Sequence, residues 1–133
     1  SKPDLTYPGN FVFSEIKSCG HTNRSPYHGQ VIILVNEETQ SHGEFTAMAL
    51  KTIPNSIIVG SQTAGADGNV TQVVLPGNIR TYMSGLGIYY PDGSETQRVG
   101  IIPDITVKLT INGIRSGKDE IMEKAILIAN EKR

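Results

Sequence analysis

At 133 residues the chain is about one domain's worth of sequence, enough for a single core and too short for two. Lys and Arg together number 12 against 13 Asp and Glu, with no long run of either sign, so the composition gives no electrostatic footprint for nucleic acid or for an anionic membrane. No apolar run approaches the length of a membrane span, and the single Cys19 can build neither an internal disulfide nor a thiolate metal site.

Ser1-Lys-Pro-Asp lacks the charged and apolar regions of a secretory signal, so the expectation is a cytosolic protein or one from which an N-terminal part has been removed. Residues 1–30 carry Pro3, Pro8, Gly9, Gly20, Pro26 and Gly29 around one apolar patch at Phe11-Val-Phe13, which predicts an irregular segment without a helix. Residues 31–36 are an apolar strand. Phe45, Met48 and Ala49 then recur at helical spacing through Thr52, and Pro54-Asn55 ends that helix. A second short buried strand covers residues 56–60. Strand, helix and strand in this order form a βαβ unit, which favours a parallel pair with the helix packed on one face.

From 61 to 68 the chain is small and polar, with Gly65 and Gly68 suited to a tight turn against another backbone. Residues 70–75, 79–83 and 87–90 are bounded by Pro76-Gly77, Gly85 and Pro91-Asp92-Gly93 and read as antiparallel hairpins. Residues 105–109 alternate as a half-buried strand. Residues 118–132 form a terminal helix whose apolar face is Ile121, Ala125, Ile128 and Ala129. One domain over 1–133 is expected.

The segment Ser41-His-Gly-Glu44, directly after the first strand, has two readings. Ser-x-x-Glu ahead of an apolar residue is a capping box that satisfies the first amides of a helix. A hydroxyl at a strand-to-helix corner also sits among unpaired N–H groups, where acyl-transfer sites are built.

Several words bear on that choice. Residues 31–36, Thr39-Gln-Ser41-His-Gly-Glu44-Phe45, Val59-Gly-Ser-Gln-Thr63-Ala-Gly65, Tyr89-Tyr-Pro-Asp-Gly93 and the run from Thr96 to Ile105 stand in order along the chain. Together they resemble the C-terminal part of the catalytic domain of the tail-specific, or C-terminal processing, serine peptidases. The resemblance implies an α/β fold of the ClpP/crotonase kind, a βαβ core with additional antiparallel hairpins and a C-terminal helix. It implies Ser41 as nucleophile, the backbone N–H of His42 as one oxyanion donor, and Thr63 and Gly65 in a turn lining the site. A second donor comes, in the family, from a glycine-rich segment well before the nucleophile strand, which nothing before residue 31 matches. The chain therefore reads as a fragment that is inactive alone and completed by a missing N-terminal part of the same protein.

One departure bears on mechanism. Many members place a dyad lysine in a Thr-x-Gly-Lys-Gly word, at a position that falls here on Ala66. A methyl group takes no proton, so the general base must come from elsewhere. A histidine upstream of the fragment, as in the tricorn-like branch, is one source. His42 is a second, although a side chain adjacent to the nucleophile at a helix start points away from it as a rule. His21 and His28 have no base signature, and Lys51 is about 15 Å off by helical rise. Gln97 falls where tricorn-like members carry a glutamate that orients the base, so a supporting role is open to it, as is simple satisfaction of a loop backbone. Glu44 reads as the capping partner and Asp104 as a turn residue. No metal spacing occurs and no cofactor is implied. The expected partner is a polypeptide substrate bound as an added strand, and the expected location is the bacterial periplasm or cell envelope, by family analogy. The competing expectation is a non-catalytic ligand- or peptide-binding domain on the same fold, and a weaker third is a crotonase-type acyl-CoA enzyme, for which no motif matches.

Overall fold

The computed structural model describes residues 1–15 and 25–131, so Cys19, His21 and Lys132 lie outside the described residues. Two-residue strands β1 (Lys2–Pro3) and β2 (Phe11–Val12) pair antiparallel, and no helix forms among the described residues before α1. The first long apolar run becomes β3 (Ile32–Val35), one residue shorter at each end than the apolar pattern. Helix α1 (His42–Lys51) carries the chain back, and β4 (Ile57–Gly60) lies parallel to β3 with Ile32 opposite Ile57. The βαβ unit is therefore present.

A ribbon follows, β5 (Val70–Leu75) and β6 (Ile79–Ser84), antiparallel from Val70↔Ser84 to Leu75↔Ile79. The chain then returns as β7 (Ile105–Thr106), which joins β4 in parallel and completes a sheet of order β3-β4-β7. Helices α2 (Ile111–Arg115) and α3 (Glu120–Glu131) end the described chain.

Alternation along the strands feeds two apolar layers. Ile33, Val35 and Ile58 pack with Ala47 and Met48 of α1 and with Ile101 on one face. Val59 packs with Ile121 and Ile128 of α3 on the other, with Ile32, Ile57 and Ile105 beside them. Each fully buried side chain of this size contributes about 1.5–3 kcal/mol, so the helices are held mainly by the sheet they cover. Gly60 lets the end of β4 approach β3: its φ is 139°, and a Cβ there would stand 1.8 Å from the Val35 carbonyl oxygen.

Four expectations are corrected. Residues 87–90 form no strand; only a single bridge joins Tyr89 to Glu95, because Gly87 and the 91–93 turn leave too little regular backbone to pair. Ala129 is exposed, since α3 turns only Ile121, Ala125 and Ile128 to the sheet. Phe45 is 39% exposed, and Glu44, Ala47 and Met48 form the buried side of α1 instead. Asp104 is more than a turn residue: its carboxylate accepts the Ile58 N–H at 2.8 Å and pairs with Lys51 at 2.5 Å, tying the chain before β7 to β4 and to α1. Among the described residues no helix is long and apolar enough to cross a membrane.

Candidate functional site

The corner between β3 and α1 is built by local hydrogen bonds. Asn36 Oδ1 accepts the Thr39 N–H at 3.1 Å and the Thr39 hydroxyl at 3.0 Å, closing a turn that stops the strand. Two residues on, Ser41 adopts φ 52° and ψ −119°. That conformation is one an L-residue rarely takes, and it holds an exposed serine on the rim of the corner. Strain of this kind costs about 1–3 kcal/mol and persists only where surrounding contacts impose it.

Those contacts come from Glu44. The side chain is 0% exposed, yet its carboxylate meets four donors. Oε2 accepts the Ser41 N–H at 3.1 Å and the Ala66 N–H at 2.9 Å. Oε1 accepts the Thr63 hydroxyl at 2.5 Å and the Gly65 N–H at 2.7 Å. The Glu44 half of the capping box is thus a full hydrogen bond. The Ser41 hydroxyl stands in capping-box position near the Glu44 amide without making a cap hydrogen bond of normal geometry, and the residue is exposed.

The backbone N–H groups at the helix start divide cleanly. Ser41 gives its N–H to Glu44 and Gly43 gives its own to Gln40 O at 3.0 Å. Among the described residues no acceptor takes the His42 N–H. An unpaired amide at a helix N-terminus, beside an exposed hydroxyl, can stabilise negative charge developing on an oxygen held there. The His42 ring itself lies over Phe45, with centroids 6.3 Å apart and planes at 19°, along the helix surface.

Thr63 and Gly65 belong to the same assembly. The Thr63 hydroxyl donates to Glu44 and accepts the Ile101 N–H at 2.7 Å, while Thr63 N–H reaches Ile101 O at 3.2 Å. Gly65 O accepts the Arg98 N–H at 2.7 Å, and Ala64 N–H reaches Thr39 O at 3.0 Å. The 63–66 segment is therefore clamped between the serine corner and the 98–101 turn. Gly65 has φ 68°, and a Cβ on it would meet the backbone of Arg98, Val99 and Gly100 at 3.0–3.1 Å, so only glycine fits. Ala66, at the lysine position, is exposed and brings no titratable group.

Gln97 is spoken for by backbone. Its Nε2 donates to Asp67 O at 2.8 Å and to Leu86 O at 2.9 Å, and its Oε1 accepts the Ile88 N–H at 3.4 Å. Lys51 is engaged with Asp104, and His28 is exposed in the segment before β3. Sequence reasoning missed Asp67. This carboxyl is only 4% exposed, and Oδ1 accepts the Gly68 N–H at 2.7 Å. Burial, with the charge of Glu44 adding to it, raises its pKa above the ordinary carboxylate value, against smaller opposing effects from the Gly68 amide, Thr96 and His42. A lone Asp between glycines in a polar run gave no signal of burial.

A family model described as peptidase family S41 matches residues 8–107. A protein of Chlamydia trachomatis is 32% identical over 105 residues, covering 76% of this chain and 18% of that protein. A carboxy-terminal-processing protease of Bartonella bacilliformis is 33% identical over 79 residues, 59% of this chain and 18% of that protein. Among solved structures, mature CPAF complexed with lactacystin is similar with a TM-score of 0.66 and 28% identity, over 81% of this chain and 21% of that one. The chain spans 18% of the length of the curated relatives it matches.

Proposed function

The chain belongs to peptidase family S41, and on that premise we propose that it is the nucleophile-bearing part of a C-terminal processing serine peptidase that cleaves polypeptides through an acyl-enzyme. Support comes above all from Ser41: an exposed hydroxyl on a positive-φ corner, next to a His42 amide with no acceptor among the described residues.

In the proposed reaction the Ser41 oxygen attacks a peptide carbonyl while its proton passes to a general base. The carbonyl oxygen becomes an oxyanion and accepts the His42 N–H. The C–N bond then breaks, the base returns the proton to the departing amine, and the acyl-serine is hydrolysed by water in the reverse sense. The base is assigned to a histidine in the preceding part of the same protein. Within the chain, Ala66 offers no proton acceptor, Lys51 is paired with Asp104, and the His42 ring lies on Phe45. The second oxyanion donor is assigned to the same missing part, so the fragment alone is inactive. The periplasm or cell envelope of a bacterium is the compartment proposed, by kinship alone.

The test compares full-length protein, the fragment and full-length Ser41→Ala with a fluorophosphonate probe and a polypeptide substrate. Full-length protein is expected to label on Ser41 and turn over. The fragment is expected to do neither at a comparable rate, and Ser41→Ala to do neither at all. Unlabelled full-length protein that still binds peptides would favour the non-catalytic reading, to which the alanine at position 66 lends its one supporting observation.

A further inference from the structure

Beside the serine corner, the turn after Ala66 carries a carboxyl group that nothing in the proposed reaction has yet used. Asp67 is 96% buried by its 4% exposure, its Oδ1 is occupied by the Gly68 N–H, and among the described residues Oδ2 has no hydrogen-bond partner. Thr96 lies close enough to ease the burial of the carboxyl, but its hydroxyl directs its hydrogen bond to Ile88 O at 3.2 Å. Buried carboxylate oxygens without a donor are rare, because leaving one unpaired costs about 1–3 kcal/mol or more.

The rest of the neighbourhood fixes where that oxygen sits. Gln97 grips the Asp67 carbonyl, and the 63–66 segment ahead of it is clamped by Glu44, which also holds the Ser41 amide. Asp67 is thus on the same rigid assembly as the nucleophile. It lines a cavity of about 670 Å³ together with Gly65, Ala66, Gln97, Phe13 and Tyr89. The charged and titratable groups that bear on it are Glu44, from α1, and His42, from the head of the same helix; the first repels its charge and the second attracts it. Gln97 is held in place by backbone, with one long hydrogen bond on its oxygen. Both of its amide hydrogens go to backbone carbonyls, so it is a neutral clamp on the turn and not a charged group.

A serine nucleophile needs a base, and an imidazole base needs an acceptor on its far N–H to fix its tautomer and hold its positive charge. We propose that Asp67 is the positioning residue for the general base, its carboxylate receiving the far N–H of the imidazole that deprotonates Ser41. This rests on the reading of the chain as a serine peptidase whose base lies in the preceding part. The oxygen is enclosed in this structure, so docking of that part has to turn the carboxyl toward the cavity it lines. An imidazolium formed during the reaction also offsets the electrostatic penalty of a carboxylate buried near Glu44.

The experiment uses the full-length protein, with Ser41 labelling by a fluorophosphonate and peptide hydrolysis followed between about pH 5 and about pH 9, the range over which a histidine titrates. Asp67→Asn is expected to slow labelling and lower kcat by about 10²-fold or more, as loss of a base-orienting carboxylate does elsewhere, with KM nearly unchanged. The acid limb of the residual activity is expected to move to lower pH, because the imidazole loses its anionic neighbour. Thermal stability at neutral pH is expected to stay level or rise, because a buried carboxyl with a raised pKa is removed. Asp67→Ala serves as the second variant and is expected to show the same limb shift. Overturning results are Asp67→Asn with wild-type labelling rate and limb, or both variants with reduced activity, lowered melting and an unmoved limb, which would mark a purely structural residue. Wild-type protein that never labels would sink the peptidase reading itself and this inference with it.

Discussion

Replacing Glu44 by glutamine separates a helix cap from the joint that holds the candidate site together. The two carboxylate oxygens accept four donors, two each: Thr63 Oγ1 and Gly65 N on Oε1, Ser41 N and Ala66 N on Oε2. An amide of the same shape can accept on one side only. Set with its NH₂ toward Thr63 and Gly65, it opposes the Gly65 N–H, while the Thr63 hydroxyl can turn to accept. Hydrogen bonds to a charged group contribute about 1.5–3 kcal/mol each against about 0.5–1.5 for neutral ones, so losing one of the four and weakening the other three costs about 4–6 kcal/mol. Some of that is recovered if the 63–66 segment moves away, leaving about 3–5 kcal/mol, the range for breaking a buried charged network. If Glu44 were only a cap, the loss would be about 1 kcal/mol. Amide hydrogen exchange in the full-length protein distinguishes the two. At about 1.4 kcal/mol per decade, the Gly65 and Ala66 amides of Glu44→Gln should exchange about 10²- to 10³-fold faster than in the wild type. Fluorophosphonate labelling of Ser41 should fall with them, because the same carboxylate holds the Ser41 amide. A variant whose Gly65 and Ala66 amides stay within about threefold of wild-type exchange, and whose serine labels normally, would refute the view of Glu44 as the joint.

Ser41→Gly should lose all labelling yet gain about 1 kcal/mol of stability, since glycine adopts φ 52° without strain, whereas Ser41→Ala loses labelling with no such gain; urea denaturation of the two variants checks the difference. Gly60→Ala should destabilise by about 3 kcal/mol or more, or fail to fold, because its Cβ would overlap the Val35 carbonyl oxygen; a melting midpoint near that of the wild type would contradict the packing described. For Asp104, burial works against the charge, but the Ile58 amide and Lys51 outweigh it and hold the pKa below the ordinary value. A lowered folded-state pKa stabilises above the unfolded value, about 3.9 for aspartate, and that contribution disappears as pH falls through the folded value. The melting advantage of the wild type over Asp104→Asn should therefore be present at neutral pH and shrink on acidification below about pH 4; an advantage that grows in acid would contradict it.

The parallel βαβ unit was legible because its signals are local: two apolar runs, a helical period between them, and Pro54-Asn55 to end the helix. The β5–β6 ribbon was equally plain, since Pro76-Gly77 divides two runs of strand-forming residues, and Asn78 takes the positive φ of 58° that such a turn requires. What escaped the sequence depends on long-range partners. Nothing local shows that Glu44 reaches across to residues 63–66, or that Asp104 binds the Ile58 amide. Gln97 was open to two readings because its neighbours in the chain do not reveal that three backbone groups, from Asp67, Leu86 and Ile88, surround its amide. Asp67 carries no local signal of burial, for its side-chain neighbour Thr96 and the Gln97 amide on its carbonyl come from far along the chain, the latter thirty residues away.

Cap and nucleophile were opposed readings of Ser41, but in this structure they depend on each other. A serine that caps its helix in the ordinary way has extended backbone and spends its oxygen on an amide of the first turn. Ser41 does neither: its φ is positive and its oxygen makes no cap hydrogen bond of normal geometry. Capping passes to Glu44, which reaches back to the Ser41 amide and forward to the Thr63–Ala66 segment. Because a buried carboxylate with four donors holds the corner from below, the strained conformation can persist, and because it persists the hydroxyl is left outside with the His42 amide beside it. Removing the hydroxyl and its strain while keeping the Glu44 cap, as Ser41→Gly does, or removing the cap while keeping the hydroxyl, as Glu44→Gln does, should each abolish or cripple labelling, with stability moving in opposite directions.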